Sequence, residues 1–69
     1  MKPFTAINKK YQAKCDRLIK LESALSEAVN DGNEKKEESI FNRIGALKER
    51  LPERECRAVY RYLYRVRGY

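Results

Sequence analysis

"RAVYRYLYRVRGY", residues 57–69, decides the fold class. Two templates compete for it. Tyr60, Tyr62, Tyr64 and Val66 alternate with Arg61, Leu63, Arg65 and Arg67, a period of two in residue types that suit strands. The helical period fits as well: Cys56, Val59, Leu63 and Val66 make one stripe, with Tyr60 beside it. A strand must pair its backbone N–H and C=O groups, and no other segment of the chain offers a partner strand. The stretch therefore reads as a helix, with a strand paired across a homodimer as the alternative.

The residues just before it agree. Pro52 has no N–H and ends or kinks a helix that reaches it, yet it suits the first position of a new one. Glu53 and Glu55 then lie at the positive end of the helix dipole, Arg65 and Arg67 at the negative end, and Gly68 follows as a stop. A helix over about 52–67 is predicted. "LPERECRAVYRYLY", residues 51–64, resembles the opening helix of sigma-factor region four, in which a leucine–proline–acid–arginine start precedes an apolar helix. The resemblance covers 14 of 69 residues, and no turn or recognition helix follows it in this sequence. It implies a helix start with proline at its first position and nothing more.

Working back toward the N-terminus, Phe4, Ile7, Tyr11, Leu18, Leu21, Leu25 and Ala28 recur at spacings of three and four, broken at Lys14. These are a and d positions of a heptad pattern, widened by Cys15, Ile19 and Val29. Pro3 and Thr5 are start signals, so a first helix over about 4–30 is predicted. "NDGN", residues 30–33, ends it: Gly32 suits a left-handed C-terminal residue, and Asp31 or Asn33 suits the next cap. A second helix over about 34–51 opens polar and carries Ile40, Ile44, Leu47 and Leu51 on one stripe, with Phe41 alongside. Gly45 inside it reads as a tolerated glycine or as a point of close helix approach. The fold class is all-α: a long antiparallel helical hairpin plus a shorter C-terminal helix. The first seam is longer than the second helix covers, so completion by dimerisation is expected.

Length bounds the rest. At 69 residues the chain is a single small helical domain, 1–69, and chains this short bury only about 60% of their unfolded surface. Cys15 and Cys56 are the only cysteines and histidine is absent, so no metal or other cofactor is expected. The thiols read as reduced, with a single Cys15–Cys56 bridge as the alternative in an oxidising compartment. No secretory h-region and no membrane-length apolar run is visible, so a cytoplasmic protein without membrane contact is expected. Without histidine, a glycine-rich phosphate loop or a nucleophile elbow, the chain reads as no enzyme. Cys15 beside Lys14 and Arg17 is the one thiol whose pKa those neighbours would lower.

Charge carries the functional signal. The net charge is +6, distributed as +5 over residues 1–20, −3 over 21–49 and +4 over 50–69. A basic balance attracts nucleic acid, acidic protein surfaces or anionic lipid. On a helix, Arg54, Arg57, Arg61 and Arg65 are spaced three, four and four, an arc of about 80° at 100° per residue. Tyr62 and Tyr64 flank that arc. Guanidinium forks bind phosphate or carboxylate bidentately, and phenol rings stack on bases. Lys9 and Lys10 add diffuse positive charge on the first helix. The expected partner is the DNA or RNA backbone, as for accessory or regulatory proteins of phages, plasmids and bacteria. The alternative is an adaptor or inhibitor docking on an acidic protein surface. A plain solvated face, with Glu49, Glu53 and Glu55 pairing with nearby arginines, is the third reading.

Overall fold

The computed structural model describes residues 3–67. They form a short 3-10 turn, Lys9–Tyr11, and three α-helices: α1 (Gln12–Asp31), α2 (Glu34–Glu49) and α3 (Glu53–Arg67). The described residues contain no strand, so the alternation of tyrosine and arginine in α3 is a helix wearing a strand-like pattern. Gly68 lies outside the described residues.

The turn between α1 and α2 follows from three adjacent residues. Gly32 takes φ 69°, the left-handed region that a side chain would strain. Its N–H donates to the Val29 carbonyl at 3.1 Å, and the Asn33 N–H donates to the Ala28 carbonyl at 3.1 Å. Those paired bonds are the Schellman closure of a helix. Asn33 then opens the next helix, its side chain accepting from the Lys36 N–H at 3.1 Å. Of the two residues proposed for that cap, Asn33 serves, and Asp31 is the last residue of α1.

The start of α1 differs from the prediction. The heptad pattern reaches back to Phe4, but the helix begins at Gln12. Side chains take the backbone groups that a longer helix would have used. Gln12 accepts from the Ala6 N–H at 2.7 Å and donates to the Phe4 carbonyl at 3.0 Å. Asn8 accepts from the Lys10 N–H at 3.1 Å and so caps the 3-10 turn. The segment before it runs as an irregular strap, in which local side-chain bonds compete with helix. Ile7, placed on the seam by its spacing, is 60% exposed, and Phe4 instead packs edge-on against Tyr62 with ring centroids 5.4 Å apart.

One core joins the helices. Leu18 and Cys15 from α1, Ile44 and Leu47 from α2, and Val59 and Leu63 from α3 are all buried. Enclosing a leucine such as Leu18 or Leu63 stabilises the fold by about 1.5–3 kcal/mol. Leu51 is buried at the α2–α3 junction, and Pro52 follows it with its carbonyl accepting from the Glu55 and Cys56 N–H groups. Proline thus stands one residue ahead of α3 and caps it. Gly45 meets nothing within 4 Å where a side chain would stand, so it is a tolerated glycine and not a helix contact. Val29 and Phe41, expected beside the apolar stripes, are exposed at 54% and 66%.

Candidate nucleic-acid interface

α3 is the most sharply two-sided of the three helices. Its inner face holds Val59 and Leu63 at zero exposure, and it also holds Glu55 at zero exposure. The sequence grouped Glu55 with the acids that pair with surface arginines. The structure corrects this. The Glu55 carboxylate accepts from the Ile7 N–H at 3.2 Å and the Asn8 N–H at 3.0 Å. The Cys15 thiol donates to it at 3.9 Å, a long contact suited to sulfur. A carboxylate from the first turn of α3 therefore clamps the N-terminal strap across α1. No buried side-chain polar atom among the described residues lacks a partner, which is what makes a buried acid tolerable here. Burial, then the nearby Glu55 charge, pushes the Cys15 thiol up from 9.0 to about 11. This overturns the lowered pKa expected from its sequence neighbours Lys14 and Arg17. Cys56 is also raised, chiefly by burial, and both cysteines are free thiols.

The outer face of α3 is where the predicted residues lie. Arg54, Arg57, Arg61 and Arg65 are all exposed. Arg57 pairs with Glu53 at 2.8 Å, with both side chains largely in solvent. Arg54, Arg61 and Arg65 make no ion pair among the described residues. Tyr64 is 66% exposed on one flank of the row. Tyr62, on the other flank, is half-buried against Phe4 and the core, so its ring is already engaged. Lys9 and Lys10 are exposed on the 3-10 turn, directly after the Glu55-clamped residues, and Lys10 Nζ lies 5.0 Å from the centre of the Tyr11 ring.

Arg57, Arg61 and Tyr64 line a shallow groove of about 520 Å³ together with Lys48, Glu53, Cys56 and Tyr60. Lys48 is the residue that sequence reasoning missed. It comes from the last turn of α2, and its ammonium sits 5.0 Å above the Tyr60 ring. The Tyr60 hydroxyl hydrogen-bonds the Glu22 carboxylate at 3.0 Å, tying α3 to α1, and the residue also lines the groove. Nothing in the α3 pattern points to Lys48, because its position depends on how α2 ends at the Arg50–Pro52 corner. Arg54 and Arg65 continue the row beyond the groove, and neither Tyr62, Lys9 nor Lys10 lines it.

The surface so built offers exposed guanidiniums, an ammonium and an exposed phenol, against one carboxylate. Among the described residues no group of three or more histidine, cysteine, aspartate or glutamate side chains could hold a metal ion, and no helix is long and apolar enough to cross a membrane. Comparison with family models, curated proteins and solved structures finds no match to the chain.

Proposed function

We propose that this chain is a small, basic, non-enzymatic nucleic-acid-binding protein of the accessory or regulatory kind found in phages, plasmids and bacteria. The observation that carries the reading is the row Arg54, Arg61 and Arg65, exposed and without acidic partners among the described residues, beside an exposed Tyr64. Unpaired guanidiniums lose little intramolecular interaction when they turn to phosphate, and they release counterions from the nucleic acid. The role of the row is to hold the backbone, while Tyr64 stacks on an unpaired base or hydrogen-bonds a phosphate.

A salt titration of binding to duplex DNA and to single-stranded RNA tests this. Four phosphate contacts, from these three arginines and Arg57, predict a slope of log K against log salt of about −3 to −4. Arg61→Ala and Arg65→Ala weaken binding to all sequences alike and each reduce the slope by about one. No binding above background at physiological salt sinks the reading.

One observation favours a second reading, docking on an acidic protein. Phe41 is 66% exposed on α2, an apolar handle that nucleic-acid backbone does not need. In that case Phe41→Ser abolishes partner binding as effectively as loss of the arginines. A homodimer is part of the proposal as well, with Phe41 and Val29 as the apolar side chains a second copy would cover, and light scattering on the free protein reads it directly.

A further inference from the structure

A second cavity lies away from the α3 groove and shares no residue with it. It has a volume of about 360 Å³ and is lined by Arg17 and Leu21 of α1, and by Arg43, Ala46, Leu47 and Arg50 of α2 and its C-terminal cap. The spacing explains the convergence. Arg17 and Leu21 are four apart, and the α2 residues fall at three, four and seven from Arg43, so each set occupies one stripe of its helix. The two stripes meet where α1 and α2 pack. Leu47 is buried and Leu21 half-buried, forming an apolar floor, while the three arginines stand exposed around it.

None of these three guanidiniums has an ion pair or hydrogen bond among the described residues. Three guanidiniums drawn around one concavity repel one another, and an anion placed between them removes that repulsion. Forked donors fit phosphate oxygens two at a time, which a sphere of solvated lysines does not do. The apolar floor adds a requirement that a bare inorganic anion leaves unmet. We propose that this cavity binds a phosphate ester with an apolar or aromatic body. Arg17, Arg43 and Arg50 hold the phosphate, and the body lies on Leu21, Ala46 and Leu47. The phosphate comes either from a free mononucleotide or from one nucleotide unit of a nucleic-acid strand. This inference does not rest on the α3 arginine row, and the two fail separately.

The test is a proton–nitrogen NMR titration of the full chain with AMP, with inorganic phosphate, and with a short single-stranded oligonucleotide. AMP is expected to shift the backbone amides of Leu21, Ala46 and Leu47 saturably. Arg43→Gln weakens that binding by roughly tenfold or more, as expected for loss of a charge-assisted bond, and Lys35→Gln, an exposed cation that lines neither cavity, leaves it unchanged. Arg17→Gln is the second variant should Arg43→Gln disturb the fold, which circular dichroism checks. Inorganic phosphate binds at least about tenfold more weakly than AMP, because it gains nothing from the leucine floor. A site that serves free nucleotides takes AMP as tightly as the oligonucleotide. A site that serves a strand takes the oligonucleotide more tightly and still loses it with Arg43→Gln. Absence of saturable shifts at the cavity amides, or equal weakening by Arg43→Gln and Lys35→Gln, overturns the proposal, the latter because it marks diffuse attraction to net charge.

Discussion

Glu53 and Glu55 stand two residues apart in the first turn of α3, and they do opposite things. Glu53 lies on the outer side, pairs with Arg57 at 2.8 Å, and both partners are largely in water. Such a pair contributes about 0–1 kcal/mol and is screened by salt. Glu55 lies on the inner side with no solvent exposure, and its donors are two backbone N–H groups and a thiol. Shut off from solvent, the carboxylate depends on the strap's donors. The same residue type within a single turn is thus a surface charge in one case and a structural clamp in the other. The difference is the 200° of helix rotation between adjacent alternate positions, at about 100° per residue.

The sharpest way to break this comparison is to truncate both acids. Glu55→Ala leaves two strap N–H groups and a cavity unmet, and is expected to lower unfolding stability by about 3–5 kcal/mol. Urea denaturation measures it, and Glu55→Gln, which keeps one acceptor, recovers part of the loss if the alanine variant does not fold. A loss for Glu55→Ala no greater than for Glu53→Ala would end the distinction.

Alkaline pH probes the same clamp through its thiol. Below pH 9 Cys15 holds its proton in both the folded and the unfolded chain, so it makes no difference to stability there. Between pH 9 and about 11 the unfolded chain releases the proton while the folded chain keeps it, so stability falls as pH rises. The decline is about 2.7 kcal/mol, and it flattens above the folded-state value. Cys15→Ala removes this limb of the pH profile. An identical alkaline decline in that variant would mean that other groups carry it.

Asn8→Ala sharpens the comparison at the strap itself. It removes the side-chain cap of the 3-10 turn and leaves the Glu55 bond to the Asn8 N–H available. A loss of about 1 kcal/mol is expected. Amide hydrogen exchange should show the loosening confined to residues near the strap, and protection lost evenly across α2 would contradict it. Smallest of all, Glu53→Ala should change stability by less than about 1 kcal/mol, an effect that fades in high salt. It also frees Arg57, so the nucleic-acid binding proposed for the arginine row is expected to strengthen slightly. A stability loss matching that of Glu55→Ala would place Glu53 in the structural network after all.

The arginine row was legible from spacing, because i, i+3 and i+4 positions share a face wherever the helix sits, and the helical nature of α3 from the lack of a partner strand for its alternating pattern. Two members of the expected binding set were less so. Tyr62 has the right position on the helical wheel, but Phe4 occupies its ring, a contact between residues 58 positions apart. Lys48 joins the groove only because the corner at Arg50–Pro52 brings the end of α2 beside Tyr60. Periodicity within one element carries no information about such long-range neighbours.

By itself the sequence determined that the chain is helical, where Gly32 and Asn33 separate α1 from α2, where Pro52 separates α2 from α3, and which face of α3 is basic. These are local consequences of left-handed backbone, capping and a missing N–H, and they act within a few residues. Tertiary structure decided that the heptad pattern stops short of its first members. The N–H groups of Ile7 and Asn8 found a buried carboxylate 48 and 47 residues away, and a helix through that point would have given up those bonds. It also decided that three arginines from two helices surround one cavity, since only the packing of α1 on α2 brings Arg17 beside Arg43 and Arg50. Local spacing sets which residues share a face; the burial of those faces against one another sets which faces meet.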